Sequence, residues 1–96
     1  MINDSDHLVP NPESVFREEE DGAFLFDPEN GNLKFINGMG RTIYRLCDGQ
    51  RSVMDVKSSV KDDHPEIPAE QIDEDIDKFM SEISELGFLR SEKDTR

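Results

Sequence analysis

The chain has 96 residues, of which 23 are acidic and 11 basic, for a net charge of -12. That length suits one domain with one core and leaves no second domain against which a large catalytic cleft could form. The acidic field repels phosphate backbones and anionic headgroups, which makes nucleic acid and membrane poor partners, and 33% hydrophobic residues must be well placed to support a core at all.

Residues 1–12 are polar, contain two prolines and show no periodicity, so they read as a disordered N-terminal tail. They also lack a basic start leading into an apolar stretch, unlike a secretory signal. Residues 91–96 read as a C-terminal tail, which places the folded domain at residues 13–90. Residues 14–18 suit a first strand, followed by the turn signal Asp21-Gly22. Residues 23–27 (Ala-Phe-Leu-Phe-Asp) suit a second, closed by Asp27-Pro28-Glu29-Asn30-Gly31, and residues 32–36 a third, making a hairpin. Phe24 and Phe26 alternate with Leu25, and Leu33 and Phe35 with Lys34 and Ile36. Neither face is purely polar, so the sheet is expected to be covered on both sides.

Asn37 suits a helix N-cap, and Met39, Ile43, Leu46 and Cys47 follow as one apolar stripe that stops at Asp48-Gly49. Ser52 can cap a second helix through Val53, Val56 and Val60, ended by Asp62-Asp63-His64-Pro65. Ile72, Ile76, Phe79, Met80, Ile83 and Leu86 give a third helix of about four turns, with Gly87 beyond its end. Phe88-Leu89 is expected to return onto the sheet. A three-stranded antiparallel sheet followed by three helices, the first two closely joined, is an α+β fold of the winged helix-turn-helix type. Its edge strand offers unpaired backbone groups to an extended peptide.

Catalysis and metal chemistry find little support. Cys47 lies on the apolar stripe, with His7 in the tail and His64 in a loop, so it reads as a core residue and not as a nucleophile. A lone cysteine also rules out an internal disulfide and fits a reducing, cytoplasmic setting. The segment from Asp62 to Glu66 mixes ligand types without a known spacing, and reads as a solvated loop. The alternating acids Asp73, Asp75 and Asp77 resemble a calcium loop superficially, but Lys78 and Ser84 stand where a glycine and the closing glutamate are needed. No catalytic residue, metal or cofactor is therefore expected. A winged-helix DNA-binding regulator is the main alternative, and charge opposes it: the second helix has Lys57 and Lys61 but also Asp55, Asp62 and Asp63. A structural subunit that stabilises an enzyme without touching its substrate is the other.

Five segments resemble the PqqD family of pyrroloquinoline quinone biosynthesis, the namesake of the recognition elements for ribosomally synthesised precursor peptides. They are residues 24–31, 34–37, 43–53, 75–80 and 86–89, with Asn37, Leu46-Cys47-Asp48-Gly49 and Phe79 as the most specific pieces. The resemblance spans about residues 14–89. It implies a peptide-binding chaperone, not an enzyme, that holds a leader peptide as an added strand beside the third helix and presents it to a radical SAM enzyme. Carried over by position, Leu33, Lys34, Phe35 and Ile36 would supply the strand edge, and Ile72, Asp75, Ile76 and Phe79 the helix wall. The chain departs from the family pattern in Ile36, where leucine is usual, and in Gly38-Met39-Gly40, which replaces a more helix-favouring stretch. A free strand edge leaves monomer and homodimer both open.

Overall fold

The computed structural model describes residues 2–92. Its elements are β1 (Leu8–Pro10), β2 (Val15–Glu19), β3 (Gly22–Phe26), β4 (Leu33–Asn37), α1 (Gly38–Leu46), α2 (Val53–Asp63), α3 (Ala69–Glu85) and β5 (Leu89–Ser91). β2, β3 and β4 form the expected antiparallel sheet in that order, and three helices follow it. Among the described residues no helix is long and apolar enough to cross a membrane.

α1 and α2 start where their cap chemistry directs. The Asn37 side chain accepts from the Gly40 amide at 2.8 Å, and Ser52 forms a reciprocal capping box with Asp55. α3 ends at Glu85 with Leu86 as its C-cap, and Gly87 follows at a φ of 91°, a left-handed value that glycine adopts without steric cost. Ala23, Leu25 and Ile36 from the sheet, Ile43 and Tyr44 from α1, Val53, Val56 and Val60 from α2, and Ile72, Ile76, Met80 and Ile83 from α3 meet in one core.

The structure corrects the sequence reading at three places. Residues 2–10 are not a frayed tail: β1 pairs with β5 in a second, two-stranded sheet, and Leu8 is buried. The first turn of a helix has amides without internal partners, and here the Val53 and Met54 amides of α2 donate to the carbonyls of Asp6 and Asp4 at 2.8 and 2.9 Å. Lys57, only 8% exposed at its side chain, pairs with Asp4 and with Asp77 of α3, both at 2.8 Å, and so fastens the same segment to two helices. At the other end, Ser91 belongs to β5, while residues 93–96 lie outside the described residues. After α3, Phe88 and Leu89 are both buried in the core, and Leu89 also pairs with Pro10 of β1.

The third correction concerns the sheet. Its inner face, with Ala23, Leu25 and Ile36, is buried against the helices, whereas Val15, Phe24, Phe26, Leu33 and Phe35 on the outer face are exposed. Apolar residues on both faces suggested cover on both, and the described chain supplies it on one.

Candidate functional site

β4 ends the strand order β2-β3-β4, so one row of its backbone N–H and C=O groups lies outside the ladder. A groove runs beside it toward the helices in three connected stretches. In the first, Lys34, Phe35, Ile36 and Asn37 face Phe79 and Glu82 of α3. In the second, Asn37, Met39, Gly40 and Ile43 face Asp75 and Phe79. The last is a small apolar hollow among Met39, Ile43, Val60, Ile67, Ile72 and Ile76, with Asp75 also in its lining. Asn37 and Phe79 join the first stretch to the second, and Met39, Ile43 and Asp75 join the second to the third.

Seven of the eight residues named from sequence meet here. Ile72 and Ile76 are buried in the core and form the floor of the hollow, Asp75 and Phe79 form the α3 wall, and Lys34, Phe35 and Ile36 form the strand side. Leu33 is elsewhere: its side chain is 65% exposed on the outer face of the sheet. Alternation along β4 sends Leu33 and Phe35 outward and Lys34 and Ile36 inward. Phe35 still borders the groove because it stands at the open edge.

Asn37, Met39, Gly40, Ile43, Val60, Ile67 and Glu82 complete the lining and were not named as site residues from the sequence. Glu82 was reachable in principle, being three residues after Phe79 and seven after Asp75, on the same helical face. Its carboxylate pairs with Lys34 Nζ at 2.6 Å, across the first stretch of the groove. Both side chains are about half exposed, so the pair is worth at most about 1 kcal/mol and yields readily to a ligand. Gly40 had been noted only as a poor helix former. A Cβ there would stand 2.9 Å from a Phe79 ring carbon and 3.1 Å from Ile36 Cβ, so glycine lets α1, β4 and α3 converge under the groove.

The other chemical groups are occupied structurally. Cys47 is buried, and burial pushes its thiol up to about 12, with the Asp48 charge adding to the effect. His64 pairs with Glu66 at 3.1 Å. Of the α2 lysines, Lys57 is buried in its ion triad and Lys61 pairs with Asp73 at 2.7 Å. Burial by itself would lower the Lys57 pKa, but the hydrogen bonds and charges of Asp4 and Asp77 outweigh it and hold the ammonium above its ordinary range. The groove thus offers a strand edge, apolar walls and an exposed carboxylate at Asp75, which suits an extended chain carrying aliphatic side chains and a cation.

Comparison with known proteins gives one family match: the family model described as Coenzyme PQQ synthesis protein D (PqqD) matches residues 22–89. That range takes in β3, β4 and all three helices. No curated protein matches the chain.

Proposed function

The chain belongs to the PqqD family, and from that membership together with the groove beside β4 we propose that it binds the leader segment of a ribosomally made precursor peptide and presents it to a radical SAM enzyme. The leader adds as a strand on the open edge of β4, between that edge and α3. Alternate leader side chains turn inward, toward Phe79 and the hollow floored by Ile72 and Ile76. An aliphatic residue fits the hollow, and a lysine or arginine close by fits Asp75. The chain contributes no bond-making step, and its effect is to raise the concentration of substrate at the enzyme.

The observation that carries this reading is that the free strand edge and the apolar groove form one continuous surface. The DNA-regulator alternative loses ground because both α2 lysines are already engaged by carboxylates. The test is a titration of labelled leader peptide from the neighbouring genes, read by backbone amide shifts. Residues 33–37 and 75–82 should respond, and Phe79→Ala should weaken binding about tenfold, the effect of truncating a central aromatic anchor. Shifts confined to other regions, or none with any neighbouring-gene peptide, reject the reading.

A further inference from the structure

The outer face of the sheet lies away from the helices and carries Val15, Phe24, Phe26, Leu33 and Phe35, in register across three strands. Their exposures run from 37% for Phe24 to 65% for Leu33. Contiguous apolar surface of this kind marks an interaction site. It is also preformed: Phe24 and Phe35 pack edge to face at 5.1 Å between centroids.

Charge around the patch selects its occupant. Glu19 closes β2, and Glu20 and Asp21 form the turn to β3 at one end of the sheet, where Arg41 also reaches the carbonyls of Glu19 and Gly22; Glu13 precedes β2 and Glu29 lies in the β3–β4 turn at the other end. Arg17, the basic residue among the strand positions on this face, pairs with Glu19 at 3.5 Å. A second copy stacked face to face would set acidic ends against acidic ends in either orientation. A protein surface with an apolar centre and lysines or arginines at its margins is complementary in both respects. The face shares β4 with the groove and meets it at Phe35, but Val15, Phe24, Phe26 and Leu33 point the other way, so the two surfaces can be filled together.

We propose that this outer face docks the modifying enzyme itself, through an apolar patch flanked by lysine and arginine on the enzyme. The assignment rests on the reading of the chain as a peptide presenter. It divides the labour of the small sheet: leader on the edge and enzyme on the outer face.

The test uses the full chain, the purified peptide-modifying enzyme encoded beside it, and fluorescent leader peptide, with enzyme association and leader binding measured separately. Phe24→Thr/Phe26→Thr should weaken enzyme association at least about tenfold while leader affinity stays within about twofold. Glu20→Lys/Asp21→Lys, which alters no packed side chain, should weaken association several-fold, and wild-type association should decline between about 0.05 and about 0.5 M salt. Thermal melts check that each variant folds. Association undiminished in both variants, or none with the wild type, overturns the proposal. A dimer in sedimentation that Phe24→Thr/Phe26→Thr abolishes would also overturn it, by giving the face to a second copy. Failure of leader binding with face-dependent enzyme association intact would instead sink the presenter reading and leave the docking face standing.

Discussion

A methyl group at Gly40 would press on Phe79 and Ile36, which sets helix propensity against groove geometry at one position. Glycine to alanine inside a helix gains up to about 1 kcal/mol, whereas the Phe79 ring edge and Ile36 would each have to move by a few tenths of an ångström. Gly40→Ala is therefore expected to change stability by less than about 1 kcal/mol while displacing Phe79 and lowering leader affinity several-fold, measurable by denaturant unfolding and peptide titration on the same samples. Cys47 gives a prediction in pH. Its folded pKa of about 12 lies above the ordinary 9.0, so the neutral thiol contributes stability that is fully present below pH 9.0 and is lost as pH rises toward about 12. Urea unfolding above pH 9.0 should show wild-type stability falling more steeply than that of Cys47→Ala, by up to about 1.4 kcal/mol per pH unit.

Among the elements, α2 depends on contacts that its own sequence does not announce. Lys57→Met keeps most of the packed stem and removes the ammonium that joins Asp4 and Asp77. Because both carboxylates are about half exposed, they can return to water, and the loss should be about 1 kcal/mol and not the several of a fully buried pair. Amide exchange at residues 6–8 should quicken in that variant, since the N-terminal segment loses its tie to two helices. The helices themselves were legible in the sequence because Asn37, Ser52 and Gly87 mark their ends and their apolar periodicity is local. β1 was not legible, because three residues acquire a strand identity only from β5, with Leu8 opposite Ser91. The exposed sheet face was misread for the opposite reason: alternation shows that both faces are apolar, but not that the cover for one is absent from the described chain.

At the scale of the whole molecule, the net charge of -12 works against compaction through self-repulsion. The exposed ion pairs that salt would weaken are worth little individually, so screening of the overall repulsion should win. Raising salt from about 0.02 to about 0.5 M is expected to increase Tm by a few degrees, and a decrease would mean that the ion pairs dominate. The groove was partly legible at this scale: α3 and β4 could be named from sequence, but the contributions of Met39, Gly40 and Ile67 arise from how three helices converge. The pairing of β1 with β5 has a separate consequence. It places Leu8 beside Ser91, so a linker can join the segments that flank this pair and new ends can be opened in the exposed turn at residues 29–31. Such a circular permutant should fold with its groove intact, because chain reversal at that turn is a surface feature and the β1–β5 pairing lies outside the groove lining. Near-native circular dichroism and leader affinity in the permutant would show that recognition depends on the assembled sheet and helices and not on the order in which the chain visits them.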